Sequence, residues 1–294
     1  MKNPIVVGTD LTSASDEALI QAEARARRDG TSLTVVHTLS QRPWNTASEA
    51  DYLGNLRELI TRQVVGLTGR PRGEFNVVVE RGSTQSVLTR LAASQHALLV
   101  IGSSMHHGMK HALLRDVSER VLERAWGPVL VTRGHGGAAR ILVAVDRPFR
   151  SSPSLEMAID EARRSQAQLY VLHCVSNSFL GMLAADIING GVYAQRPLGL
   201  RSPVNEARRA LGSELRRRHV DPPLFVVEGE ASFLISQFAA RTDAGLVIVG
   251  TAHHPWPTPR VTTAVLRYAP CSVLVVDDAS GLSEVDSAVQ ARSN

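Results

Sequence analysis

Cysteine is nearly absent: Cys174 and Cys271 are the two in 294 residues. In the parallel sheet argued below, one ends a strand and the other begins one. That separates them by roughly a strand length of 17 Å, whereas a disulfide needs Cα atoms within about 7 Å. Two buried free thiols and a reducing compartment are expected. Aromatic residues make up 4% of the chain, so any core must be built from Val, Leu, Ile and Ala. Lysine is scarcer still, with Lys2 and Lys110 alone, and the basic charge is arginine. No apolar run approaches the ~20 residues that a membrane span needs. The amino end enters an apolar run at once (Pro4-Ile5-Val6-Val7), without a charged region or cleavage site. A cytoplasmic protein that makes no membrane contact is expected.

Several chemistries also lack their signatures. There is no G-x-G-x-x-G dinucleotide fingerprint and no G-x-x-x-x-G-K-[ST] phosphate loop. No G-x-S-x-G nucleophile elbow is present, and nothing pairs a nucleophile with a base. The place after the first strand where ATP pyrophosphatases carry Ser-Gly-Gly-x-Asp-Ser reads Thr9-Asp10-Leu11-Thr12. No catalytic residue is assigned, and enzyme activity is not expected.

Formal charge is +4 and the pI about 9.5, but the charge is spread along the chain. The densest cluster, Arg208, Arg209, Arg216, Arg217 and Arg218, shares a predicted helix with Glu206 and Glu214. No stacking aromatics interleave it, so it reads as a solvated helix face and not as a nucleic-acid surface.

What is present is an alternation of apolar runs and helical stripes. Runs at Ile5-Val6-Val7, Leu33-Thr34-Val35-Val36, Phe75-Asn76-Val77-Val78-Val79, Leu98-Leu99-Val100-Ile101 and Val129-Leu130-Val131 alternate with helix-period segments near 13–30, 47–67, 85–94 and the stretch after 117. That pattern means βαβ units and a parallel sheet. Runs without polar alternation mean strands covered on both faces. After residues 135–139, a linker of small residues, the pattern restarts. Ile141 to Asp146 repeats Ile5 to Asp10, and Leu169 to His173 repeats Leu33 to His37, both at an offset of 136. Leu246 to Gly250 repeats Leu98 to Gly102 at 148, and Ala269 to Val273 repeats Ala125 to Val129 at 144. The offsets imply an insertion near 181–203 and a shortened loop after Gly250. Two domains are expected, 1–134 and 140–278, followed by a Ser-, Ala- and charge-rich tail at 279–294 that reads as disordered.

The set of motifs is distinctive. A strand ends in Asp; the next ends in Leu/Val-x-His; a Gly precedes a short helix; then come Leu-x-Val-x-Gly-Ser, Val-Ser-Glu-Arg-Val-Leu and Pro-Val-Leu-Val, in this order and largely repeated. This resembles the universal stress protein family in its tandem form, over about 1–133 and 140–277. The resemblance implies an α/β fold of the adenine-nucleotide-hydrolase-like kind. Each domain would be a doubly wound, five-stranded parallel sheet of order 3-2-1-4-5. The switch point would fall between strands one and four, where Asp10 and the Gly102 loop flank one crevice.

ATP-binding relatives carry Gly-x2-Gly-x9-Gly-Ser/Thr after strand four, because bare backbone N–H groups wrap phosphates. Here Gly102 keeps the first position and Gly108 an intervening one. Met105 and Arg115 replace the other glycines, and Asp116 stands where a hydroxyl is expected. Side chains at those positions hinder close approach, and the Asp116 carboxylate repels a triphosphate. By resemblance the candidate nucleotide contacts are Thr9, Asp10, Gly102, Ser103, Gly108 and Ser118, in domain 1 alone. In domain 2 the loop after Gly250 is short and carries Pro255, Pro257 and Pro259; proline has no N–H to offer.

Two readings of Asp10 and its counterpart Asp146 stay open: a ligand contact, or a carboxylate that fixes the helix entry. His106, His107, His111, His253 and His254 fit no standard metal spacing, so no metal is expected. His37 and His173 read as structural or as lining the crevice, and not as catalytic. The function expected is a non-catalytic stress-response binding or scaffold module, with no cofactor. Val129-Leu130-Val131 and Val273-Leu274-Val275 would meet as an internal pseudo-dimer, and fifth strands are the family's usual route of self-association. A protein partner completes that reading. The alternative is an ATP-dependent switch or weak ATPase in the domain 1 crevice.

Overall fold

A computed structural model describes residues 3–39, 49–103, 117–134, 139–146, 152–175, 203–251 and 260–278. In the first half β1 (Ile5–Gly8), β2 (Leu33–Leu39), β3 (Asn76–Arg81), β4 (Leu98–Gly102) and β5 (Val129–Thr132) alternate with α1 (Ser13–Asp29), α2 (Glu49–Thr68), α3 (Thr84–Ser94) and α4 (Val117–Leu122). The second half repeats the plan with β6 (Arg140–Ala144), β7 (Gln168–Val175), β8 (Leu224–Glu228), β9 (Leu246–Thr251) and β10 (Ser272–Asp277). Its described helices are α5 (Pro153–Ser165), α6 (Pro203–Arg217), α7 (Ala231–Arg241) and α8 (Arg260–Tyr268).

Local chemistry sets the boundaries. Gly30 ends α1 in the left-handed region (φ 62°), and its N–H reaches back to Ala26 and Arg27 carbonyls, as a C-terminal glycine does. Ser83 caps α3 by accepting from the Ser86 N–H. Ser152 caps α5 ahead of Pro153, a residue preorganised for the first helical position. Glu230 caps α7, accepting from the backbone N–H groups of Ser232 and Phe233.

Each half has the expected order 3-2-1-4-5, but the two sheets do not stay separate. A single ten-stranded sheet runs β3-β2-β1-β4-β5-β10-β9-β6-β7-β8. The seam is the one antiparallel pair among the described strands, with Val131 opposite Val273, Leu130 opposite Leu274 and Val129 opposite Val275. The expectation of two sheets is corrected to one. All four residues of β5 are buried, as are the first five of β10, and an apolar edge left open would invite pairing with another chain. Here the fifth strands satisfy each other within the chain, so neither remains as an edge for a second copy.

Two cores cover the two faces of this sheet, and each spans both halves. Leu130 and Leu274 join Val7, Val100, Ile141 and Ile248 on one face. Val129, Val131, Val273 and Val275 join Leu99, Ile101, Val247 and Val249 on the other. Polar contacts reinforce the seam. Arg133 reaches from the end of β5 to the Leu266 and Ala269 carbonyls at the end of α8, a cation placed at a helix C-terminus. Arg267 pairs with Glu119 of α4 at 2.9 Å. On the opposite face Glu161 of α5 meets Arg25 and Arg28 of α1.

The arginine cluster lies on a surface face: Arg208, Arg209, Arg216 and Arg217 are exposed, and Arg217 and Arg218 both pair with Glu214. Cys174 and Cys271 are both free. Burial pushes their thiols up to about 11 and about 12. Both should react with a thiol-directed reagent slowly in the native protein and quickly in guanidinium; a fast native reaction at either would show that this burial is wrong.

Candidate functional site

The crevice of the first half lies at the carboxyl ends of β1 and β4. Gly102 ends β4, and α1 begins directly against it. A Cβ at Gly102 would overlap the Ala14 carbonyl oxygen and stand 2.6 Å from the Ala14 carbonyl carbon. Real Cβ atoms do not approach backbone so closely, so glycine here is what lets the first turn of α1 settle onto the sheet.

Thr9, buried at 6% exposure, anchors a polar network at the same corner. Its hydroxyl donates to Gln63 Oε1 of α2 at 3.1 Å, accepts from the Leu11 N–H at 3.2 Å and lies 3.2 Å from Ser15 Oγ. Gln63 Nε2 in turn donates to Asp16 at 2.5 Å. The Thr9 carbonyl takes the His37 ring nitrogen Nδ1 at 2.8 Å. His173 makes the same contact to the Val145 carbonyl at 2.7 Å, so both histidines hold the chain where it leaves the first strand, as a structural reading expects.

Asp10 turns on its own loop. Its Oδ1 accepts from the Thr12 N–H at 3.0 Å and the Thr12 hydroxyl at 2.5 Å. That side-chain turn accompanies a left-handed Leu11 (φ 66°). Partial burial opposes ionisation, but hydrogen bonds from Thr12 and Ser15 outweigh it and hold the carboxyl below its usual value. The reading of Asp10 as a residue that fixes the helix entry has these bonds in its favour.

Ser103 points a different way. Its N–H donates to the Thr132 carbonyl at 3.2 Å, and its hydroxyl accepts from Arg133 Nε at 3.3 Å. Ser118 is buried in the first turn of α4. The structure thus brings Thr9, Asp10 and Gly102 to one corner, through α1, and ties Ser103 to the seam. Gly108 lies outside the described residues, as do Met105, Arg115, Asp116 and the five loop histidines. Among the described residues no His, Cys, Asp and Glu cluster is arranged to hold a metal. A cavity of about 200 Å³ opens at the other end of the sheet, by Ala97 and Trp126 at the start of β5. It is far from the switch point, and its lining carries no convergent charges, so the crevice geometry is the better guide.

The second crevice is built from different parts. Val145 stands where Thr9 does, and α5 begins four positions later in the repeat than α1. The space over Gly250 holds the Asp278 carboxylate, and a Cβ on Gly250 would come within 2.5 Å of Asp278 Cγ. Asp278 accepts from the Ser154 N–H at 2.8 Å, the Ser154 hydroxyl at 3.0 Å and the Ser152 hydroxyl at 3.5 Å. Burial raises its pKa, and neighbouring Asp277 adds to the rise; the bonds from Ser154 and Ser152 offset part of it. Sequence reasoning missed Asp278, Ser152 and Ser154. The signal was an acid directly after the last strand, together with Ser-x-Ser at a helix start.

A tandem doubly wound α/β chain with paired fifth strands is a defined class of protein. The universal stress protein family profile matches residues 1–133 and 138–277, and the chain belongs to that family. It is similar to universal stress proteins of Mycobacterium tuberculosis and Mycobacterium bovis, each 28% identical over 190 residues. That alignment spans 59% of this chain and 64% of the mycobacterial proteins' length. Among solved structures it is similar to a universal stress protein from Archaeoglobus fulgidus (TM-score 0.66, 15% identity, 95% of this chain and 97% of that one). A functionally unknown protein from Pseudomonas aeruginosa gives a TM-score of 0.64 at 17% identity, covering 98% and 97%. At these identities the structural likeness speaks for the fold. No helix among the described residues is long and apolar enough to cross a membrane.

Proposed function

We propose that the chain is a non-catalytic binding and scaffold module of the stress response, acting in the cytoplasm through a protein partner. In this reading it comprises domains 1–134 and 140–278 joined by a short linker. One observation carries the reading: the polar groups described at both switch points are spent on the chain itself. Thr9 serves Gln63 and Leu11, Asp10 serves Thr12, Ser103 serves Arg133, and Asp278 fills the second crevice. A ligand there would have to break those bonds, and each net hydrogen bond is worth about 0.5–1.5 kcal/mol. Because β5 and β10 consume each other, a partner would meet the helical faces or the outer strands β3 and β8.

A second reading places ATP in the first crevice, with Thr9, Asp10, Gly102, Ser103, Gly108 and Ser118 as contacts. It is favoured by the sequence position of Asp278 in the repeat, which in the first half is Gly134, so that position brings no carboxylate to the first crevice. The test is a thermal-unfolding series with ATP, ADP, AMP and cyclic AMP, with and without magnesium. A ligand at a hundred times its Kd stabilises by about 2.7 kcal/mol. The scaffold reading expects no shift at millimolar nucleotide. A reproducible rise in the midpoint, or nucleotide retained on purification, would replace it with the second.

A further inference from the structure

Helix α5 already has a cap of its own. Ser152 Oγ accepts from the Leu155 N–H at 3.4 Å, the ordinary arrangement for a local serine cap. Yet a second acceptor arrives from 124 residues away, where β10 ends, and takes the Ser154 N–H and hydroxyl. Ser154 is fully buried and Ser152 nearly so, so these are interior donors converging on one point. The point lies over Gly250, whose missing Cβ leaves the room. In the first half the corresponding room over Gly102 is filled by the Ala14 carbonyl, because α1 starts a turn earlier. The halves therefore close the same corner by unrelated means, one with backbone and one with a carboxylate.

We propose that Asp278 is a tethered anion that seals the second crevice. Its carboxylate occupies an oxyanion seat made by Ser152, Ser154, Gly250 and the start of α5, and so excludes a free oxyanion from the switch point between β6 and β9. The chemistry of the seat is that of a carboxylate or phosphoryl oxygen: a backbone N–H at a helix N-terminus and two hydroxyls, with no cation among the donors named. This rests on the scaffold reading above in one respect, that it supplies the reason the second crevice takes no nucleotide.

The test deletes the tether in the full chain. Asp278→Gly copies Gly134 of the first half and leaves the seat open. Its midpoint should fall by several degrees. Sodium formate or inorganic phosphate should restore part of that loss relative to chloride at matched ionic strength, and by more than the same salt shifts the wild type. Restoration by formate alone defines a seat sized for a carboxylate; restoration by phosphate as well extends it to phosphoryl oxygens. A variant whose midpoint responds to both anions no more than the wild type does overturns the proposal. Formate carries no base or sugar, so its effect reads the seat alone. Nucleotide bound by the wild type in the first crevice would sink the scaffold reading and leave this one standing, whereas nucleotide bound over Gly250 would overturn both.

A second measurement avoids any variant that fails to fold. In the wild-type chain the Ser154 amide proton should titrate together with the Asp278 side-chain carboxyl, at a pH above the ordinary aspartate range, as followed by NMR. Asp277 is the neighbouring acid, and its carboxyl is assigned separately. A Ser154 amide that does not follow Asp278 overturns the proposal.

Discussion

Gly102→Ala is expected to destabilise the chain by about 3 kcal/mol, the upper end for a group forced into filled space. Replacing glycine by alanine where the backbone allows it normally stabilises, by about 0.4–1 kcal/mol, because the unfolded chain loses freedom. Position 102 reverses the sign through its neighbour. The added methyl overlaps the Ala14 carbonyl, which belongs to the first turn of α1 and cannot rotate away. To make room, α1 must lift from the sheet, and with it Ala18, Leu19 and Ala22, all fully buried. Thr9 would lose its place beside Ser15 in the same movement. Gly66 of α2 is the internal control. A Cβ there meets nothing within 4 Å, so Gly66→Ala should stabilise by roughly 0.5–1 kcal/mol. Urea unfolding of both variants without ligand checks the pair. If Gly102→Ala unfolds at the wild-type midpoint, the contact with α1 is not what glycine serves, and a ligand-side role for Gly102 gains ground.

The strands were readable because a buried parallel strand is an unbroken apolar run. The repeat then fixed their order through the resemblance, and the meeting of Val129-Leu130-Val131 with Val273-Leu274-Val275 followed from it. Boundaries moved by a residue or two: α2 runs Glu49–Thr68 where 47–67 was expected, and β3 extends to Arg81. What the sequence could not convey was that pairing these strands merges two sheets into one, since that depends on hydrogen bonds between halves. The fate of the crevice groups was equally hidden. Asp10 had two readings on paper, and the Thr12 bonds that favour one are a matter of loop geometry. Asp278 sat at the edge of a polar tail, and its partners Ser152 and Ser154 lie more than a hundred residues earlier. A contact of that separation leaves no periodicity.

The repeat is not a copy, and the seam shows where the difference counts. Arg25 and Glu161 are counterparts at the offset of 136, as are Arg28 and Arg164. In a symmetric pair of first halves, Arg25 would face the region of another Arg25. In this chain it faces Glu161 instead. Divergence after duplication has put opposite charges on equivalent helix positions, which favours the intramolecular pairing over two like halves, by the same logic as charge-coded partner choice in other assemblies.

Glu161→Ala is accordingly expected to cost about 3–5 kcal/mol, the range for removing one partner of a buried ion pair. The side chain of Glu161 is 4% exposed and that of Arg25 13%, so solvent cannot take over the missing charge. Arg28 contributes a bond of 3.0 Å to Glu161 Oε2, and Arg164 another at 3.4 Å. Without the carboxylate three guanidinium groups would converge, with Asp29 left to pair with Arg28 and Arg164. Burial by itself would raise the Glu161 pKa, but attraction to Arg25 and the bonds from Arg28 and Arg25 outweigh it and hold the group below its usual value. Its stabilisation is therefore complete above the unfolded carboxyl pKa of about 4.3 and is lost as pH falls through the lower folded value. Glu161→Gln keeps the shape and removes the charge, so the gap between its midpoint and the wild-type midpoint should be wide at neutral pH and close on acidification. Asp278 has the opposite sign: its pKa is raised, so ionising it costs stability as pH climbs from the unfolded to the folded value. A gap for Glu161→Gln that stays constant from neutral to acid pH would mean that the seam is held by its apolar pairs and that the buried charges are spectators.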